Sequence, residues 1–333
     1  MDTLIIILIV VICTVVFFCT VFFTLAFACD KIAFGKRCDK NPLLKYFTAD
    51  DFSLTSENIE LKSEKNKLRG CIYRNELVSE KNGTVVFCHG MGPGHVAYIN
   101  EIAYFCNCGY KVVAVDSKGC NLSDGKNIGG MYEGVKTAVA AVDYVKAKFP
   151  EDKLFLVGHS WGAYSALCAS AETKVDKVVA ISAPSTPAKV VLDYMAKLMP
   201  KMVASLIYRF LCLVYAFKFR CKGNTDAAEC AKKNGTPTLI IHGDKDGIVG
   251  KESAAFYAAE GENITGYIAR GKAHNPYNTV AAEEKLAELM QHILAAGRMT
   301  EEQKRRYFGE FDYRAATEED GEVMRILSDF LER

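Results

Sequence analysis

Hydrophobic and polar positions along this chain fall into distinct regimes. From Thr3 to Cys29 there is no charged residue, and Ile, Val, Leu and Phe dominate. The run exceeds the ~20 residues that a helix needs to cross a bilayer. From Phe52 to Asn75 polar and apolar residues alternate, which predicts an antiparallel hairpin at a sheet edge, turning near Glu64-Lys65-Asn66. Short apolar runs then recur at Val85, Val112, Phe155, Val178, Ile240 and Tyr267, separated by helical or glycine-rich segments. Such alternation predicts an α/β domain, and the length leaves room for one such domain with an insertion.

Residues 185–236 form that insertion, rich in Met, Leu, Val, Tyr and Phe. Val190 to Lys197 and Met202 to Phe219 read as two helices broken at Pro200, the second apolar around most of its circumference. A surface of this kind is buried against the body, dipped into a membrane interface, or offered to an apolar substrate. Lys197, Lys201, Arg209, Lys218, Arg220 and Lys222 would suit anionic headgroups; a helical pair packed over the core with a solvated basic rim is the plainer reading. In the charged tail, Val323, Ile326, Leu327, Phe330 and Leu331 sit at helical spacing and predict a final packed helix. The preceding stretch from Glu301 to Glu319 reads most simply as a solvated face.

Candidate chemistry centres on Gly158-His159-Ser160-Trp161-Gly162, a G-x-S-x-G between the strand-like Lys153-Leu154-Phe155-Leu156-Val157 and a small-residue helix. A tight turn there would hold the Ser160 hydroxyl clear of the sheet as a nucleophile, and the helix start would aim N–H groups at developing negative charge. The plainer alternative is a turn whose serine caps the helix. Two further loops favour the nucleophile. Thr238-Leu239-Ile240-Ile241-His242 leads into a turn carrying Asp244 and Asp246, and Arg270-Gly271-Lys272-Ala273-His274-Asn275-Pro276 presents a histidine. In that order His274 is the expected base and Asp246 the orienting acid, with Asp244 as its rival. His89-Gly90-Met91-Gly92-Pro93-Gly94 is the expected oxyanion turn, the N–H of Met91 pairing with that of Trp161. His159 and His242 read as structural, His292 as a surface or packing residue, and His95 as a reserve candidate near the site.

These motifs resemble the α/β-hydrolase superfamily, and within it the serine-hydrolase branch of monoacylglycerol lipases, serine aminopeptidase-like proteins and membrane-anchored Bem46-like hydrolases. The likeness runs from about Phe52 to the C-terminus. Asp116-Ser117-Lys118-Gly119-Cys120-Asn121-Leu122-Ser123-Asp124-Gly125 is similar to the family's D-x-R-G-x-G-x-S-x-G segment, with Lys118 in place of arginine and Asn121 in place of glycine. The resemblance implies a mostly parallel eight-stranded sheet flanked by helices, with a lid entering at 185–236.

The expected organisation is a transmembrane anchor (3–29), a juxtamembrane linker (30–51) and the hydrolase domain (52–333). An uncleaved anchor is favoured over a signal peptide, although Ala26-Phe27-Ala28 fits a cleavage site. The segment begins Met1-Asp2 without Lys or Arg, and its apolar region far exceeds the ~7 to 15 residues of a signal. Lys31, Lys36, Arg37, Lys40 and Lys45 follow at once, which places the domain on the cytoplasmic side. Free thiols are the expectation for the 13 cysteines, against the sequons at Asn82, Asn121, Asn234 and Asn263. No Cys/His cluster has zinc spacing, so neither metal nor cofactor is expected. A net charge of +1 gives no reason to expect nucleic acid. Expected partners are the membrane and a small-molecule or lipid ester; oligomeric state stays open. The favoured function is a membrane-anchored serine hydrolase of lipid-like esters or thioesters, with an aminopeptidase or amidase and a noncatalytic membrane scaffold as alternatives.

Overall fold

The computed structural model describes residues 3–81 and 83–333, so the Asn82 sequon and the Met1-Asp2 start lie outside the described residues. In chain order the elements are α1 (Thr3–Phe34), β1 (Thr55–Ser63), β2 (Asn66–Arg74), β3 (Gly83–Cys88), α2 (Ile99–Asn107), β4 (Lys111–Val115), α3 (Tyr132–Lys148), β5 (Lys153–His159), α4 (Trp161–Ser170) and β6 (Lys177–Ile181). They continue with α5 (Pro187–Ala196), α6 (Lys201–Lys218), α7 (Ala227–Lys233), β7 (Thr238–Gly243), β8 (Ile264–Ala269), α8 (Val280–Ala295), α9 (Glu301–Glu310), α10 (Tyr313–Ala316) and α11 (Gly321–Glu332).

One eight-stranded sheet runs in the order β1-β2-β4-β3-β5-β6-β7-β8. The hairpin turns at Glu64-Lys65 and adds its strands antiparallel; the other six strands are parallel. Strands β3, β4 and β7 are buried at every position, as their continuous apolar runs require when helices cover both faces. On one face Ile99, Ile102 and Phe105 of α2 join Val323, Leu327 and Leu331 of α11. On the other, Val135 and Val142 of α3 pack with Tyr164 and Leu167 of α4. The charged tail stretch is less solvated than its composition predicts: Phe308 of α9 packs with Leu289 of α8 and with Leu43 and Leu44.

The apolar N-terminal helix is long and apolar enough to cross a membrane, and its residues 3–21 are exposed. It does not stop at Cys29, however. It continues to Phe34, burying Ala26, Asp30 and Phe34 at a spacing of four, one helical face, against α6. Phe22 stacks on Phe210 at 5.8 Å, and the buried Asp30 carboxylate receives the Lys218 ammonium at 2.6 and 2.7 Å. The segment expected as a linker from residue 30 therefore begins as a core helix.

Beyond it the chain is laced to the loop after β4. Phe34 and Lys36 carbonyls accept from Gly129 and Ile128, and the Arg37 guanidinium caps the carbonyls of Asn121, Ser123 and Gly125.

The insertion holds three helices, one more than its apolar pattern indicates. Short α7 buries alanines against α4, its start fixed by Asp226, which accepts from the Ala228 and Glu229 N–H groups. Helix α6 buries Ala204, Ile207, Leu211, Val214 and Tyr215, while Met202 and Phe217 are 76% and 80% exposed. Three of the sequon asparagines spend their side-chain N–H inside the fold: Asn121 on Asp116, Asn234 on Ser170, and Asn263 on Ala231 and Thr236.

Because Phe34 lies in the hydrophobic core of the α/β domain, Phe34→Ala should destabilise the detergent-solubilised chain by about 3 kcal/mol in chemical denaturation. Phe17→Ala, at an exposed position of the same helix, should leave that value unchanged; equal effects would show that α1 ends as a free tether.

Candidate active site

Ser160 joins β5 to α4 with φ 55° and ψ −119°, a conformation that costs a non-glycine residue energy and that neighbouring packing must enforce. That packing runs through the two motif glycines. A Cβ on Gly162 would sit 1.9 Å from the Cys88 carbonyl oxygen, and one on Gly158 would sit 2.3 Å from the Gly162 carbonyl oxygen. Only hydrogen at both positions lets α4 approach β3 and β5 this closely. The Ser160 N–H donates to the Ile181 carbonyl, and its own carbonyl accepts from Tyr164, which fixes the turn on both sides.

Three loops at the strand ends bring the sequence-predicted residues together. His274 Nε2 lies 2.9 Å from Ser160 Oγ, and His274 Nδ1 lies 2.8 Å from Asp246 Oδ2. The Asp246 side chain is shielded from solvent. Burial alone would raise its pKa, but the hydrogen bond and charge of His274, with the N–H groups of Val249 and Ile248 on Oδ1, hold it below the ordinary carboxylate range. An ionised Asp246 then requires Nδ1–H on His274 and leaves Nε2 to accept from the serine hydroxyl.

Asp244 is not in this chain: it is exposed and accepts from the Gly271 N–H at 2.7 Å, bracing the turn. The Met91 and Trp161 N–H groups have no acceptor among the described residues. His95 stays away from Ser160, held between Asp116 Oδ1 at 2.7 Å and the Tyr73 hydroxyl at 2.9 Å. His292 stacks on Tyr307 at 3.7 Å, outside the site. His242 is buried 3.9 Å from Asp246 Oδ2. No group of three or more His, Cys, Asp or Glu among the described residues has the arrangement to hold a metal ion.

His159 does more than end its strand. Its Nε2–H donates to the His274 carbonyl at 2.9 Å, its Nδ1 accepts from the Tyr98 hydroxyl at 2.9 Å, and that oxygen accepts from the Gly90 N–H at 3.0 Å. The turn carrying Met91, the elbow and the histidine loop are thereby tied by one polar chain. Tyr277 closes it from the side, with its ring 5.2 Å from that of His159. Burial, and secondarily the nearness of His274, lowers the His159 pKa to about 3, so the ring stays neutral. Nothing in the local sequence pattern distinguishes this histidine from a merely packed one.

A histidine that titrates near 6.5 when unfolded and near 3 when folded binds its proton first in the unfolded state. Acidification below 6.5 should therefore erode stability by about 1.4 kcal/mol per pH unit from this group. Denaturation series at pH 7 and pH 5 should show that slope in wild type and a flatter one in His159→Gln, which carries no titrating ring.

Comparison with known proteins gives consistent likenesses. Residues 79–218 match the family model described as serine aminopeptidase, S33. The AB hydrolase superfamily protein YfhM of Bacillus subtilis is 28% identical over 107 residues, which are 32% of this chain and 37% of that protein. The probable aminopeptidase YbaC of the same organism is 32% identical over 96 residues, 27% of this chain and 30% of that one. The chain thus spans about a third of the length of these curated relatives. Among solved structures, the Pyrococcus furiosus esterase Pf2001 superposes with a TM-score of 0.56 at 22% identity, covering 78% of this chain and 98% of that one. Together with the sheet order and the strand–elbow–helix turn, these likenesses show that the chain has the α/β-hydrolase fold.

Proposed function

We propose that this chain is a membrane-anchored serine hydrolase that cleaves carboxylic esters or thioesters of lipid-like acyl groups through an acyl-enzyme. The observation carrying the reading is the hydrogen-bonded series Ser160–His274–Asp246, its members drawn from three separate loops. In the proposed reaction Ser160 Oγ attacks the acyl carbonyl as His274 Nε2 takes its proton, and Asp246 stabilises the imidazolium. The oxyanion is held by the N–H groups of Met91 and Trp161. His274 then protonates the leaving alcohol or thiol, and water activated by the same ring releases the acid.

The lipid preference rests on apolar surface exposed elsewhere on the molecule. Helix α1 has an apolar exposed length suited to an anchor, with Lys31 in its last turn and Lys36 and Arg37 just beyond it favouring a cytoplasmic domain. Beside it, Tyr194 of α5, Leu198 of the turn, and Met202, Leu213 and Phe217 of α6 are exposed apolar side chains, accompanied by exposed Lys201 and Arg209. Such a surface suits a lid facing headgroups and acyl chains.

An aminopeptidase is the second reading, favoured by the description of the matching family model and by the name of one relative. A peptidase acting at an α-amine must grip that cation with a pocket carboxylate, whereas an esterase needs only an apolar acyl slot, so substrate profiling separates the two.

Labelling with a fluorophosphonate should modify Ser160, located by peptide mass spectrometry, and both Ser160→Ala and His274→Ala should abolish it. Unlabelled but folded wild-type protein would favour a noncatalytic scaffold. On an active ester, Ser160→Ala, His274→Ala and Asp246→Asn should each reduce kcat about 10,000-fold. Hydrolysis of aminoacyl anilides in preference to medium-chain or long-chain esters would transfer the assignment to the peptidase.

A further inference from the structure

Two cysteines outside the candidate site meet where the anchor helix joins the body. Cys38 lies four residues past the end of α1, and Cys120 lies in the loop after β4. The two are partners in an isolated parallel bridge. The Cys38 N–H donates to the Gly119 carbonyl at 2.9 Å, and the Asn121 N–H donates to the Cys38 carbonyl at 3.0 Å, so the backbone is locked on both sides of Cys120. Registered partners in adjacent extended segments project their side chains to the same side. Their Cα atoms are then about 5 Å apart, inside the range a disulfide spans without backbone movement.

Both thiols are free, Cys38 partly exposed and Cys120 fully buried. Contact with Cys120 lowers the pKa of the Cys38 thiol, against burial and the neighbouring Asp39 charge and with a smaller contribution from Arg37. The same contact, followed by burial, pushes Cys120 upward. One thiol is thus reachable from solvent and the other sealed beside it, the division of labour of an attacking and a resolving cysteine.

We infer that Cys38 and Cys120 form a peroxide-sensitive dithiol pair, a modification site whose disulfide latches the segment leaving the anchor onto the hydrolase body. In the first step the Cys38 thiolate attacks a hydroperoxide. An S–O bond forms, the O–O bond breaks, and the departing oxygen leaves with a proton as water or alcohol. In the second step Cys120, losing its proton, attacks the Cys38 sulfenic sulfur. The S–S bond forms, the S–O bond breaks, and hydroxide takes up a proton as water. Two thiols are oxidised and one peroxide is reduced. A dithiol reductant reverses the result by exchange. The latch would hold the loop whose Asp116 binds His95 and whose Ser117 N–H donates to His89, at the base of the turn carrying Met91.

The test uses the full chain in detergent, treated with graded hydrogen peroxide and mapped by non-reducing peptide mass spectrometry. The expected result is a Cys38–Cys120 crosslink, reversed by dithiothreitol and accompanied by a higher Tm and slower proteolysis around residues 36–48. Cys38→Ser should fold normally and show none of these changes. Cys120→Ser should stop at a Cys38 sulfenic acid that dimedone traps. The inference is overturned if folded wild-type protein gives no crosslink or carries Cys38 to the sulfinic acid.

Discussion

The fold of the candidate site depends on a close approach of backbones at Gly162. With no side chain there, α4 settles against the carbonyl end of β3, and Gly158 allows β5 to pass the same point. Ser160 between them is forced to a positive φ, and its hydroxyl stands out from the sheet end rather than lying along it. The strain is local and the packing that imposes it is spread over two strands and a buried helix. Replacing either glycine would therefore move the serine before it unfolded the sheet. Distances of 2.9 and 2.8 Å to its partners presuppose this geometry.

A second layer holds the loops that carry those partners. Gly90, Tyr98, His159 and the His274 carbonyl form one series of hydrogen bonds, in which each group's role as donor or acceptor is fixed by the next. Neutral His159 is required for it, since a protonated ring would turn Nδ1 from an acceptor into a second donor facing the Tyr98 hydroxyl. Polar groups this deeply buried specify an arrangement only when every member is satisfied. In consequence the turn carrying Met91 and the loop carrying His274, far apart in sequence, are positioned by the same few atoms.

Much of this was legible in the chain itself. Continuous apolar runs located the buried strands, and alternation located the edge hairpin at Glu64-Lys65. The G-x-S-x-G turn and two later loops supplied the residues that meet at Ser160. Asn121, where the resembling families have glycine, adopts φ 42°, a left-handed conformation that asparagine tolerates better than most residues. The role of His159 was not legible, because it depends on a tyrosine and a carbonyl contributed by distant segments. Helix α7 escaped notice because its alanines give little amphipathic signal. The extension of α1 to Phe34 escaped for a related reason: Asp30 and Lys31 look like the polar end of a membrane segment, and only the placement of Lys218 shows that Asp30 turns inward.

That inward turn changes what the N-terminal helix is mechanically. A segment whose last two turns belong to the hydrophobic core, and whose exit is stitched to the loop after β4, transmits orientation as a spar does. Cutting it away to obtain a shorter soluble protein would strip a wall from α6, uncover Phe210 and leave Lys218 facing a void. A domain mounted in this way holds a fixed attitude to whatever surface receives the helix. If the helix is planted in a membrane, as proposed, the spar would set the direction from which a substrate reaches Ser160.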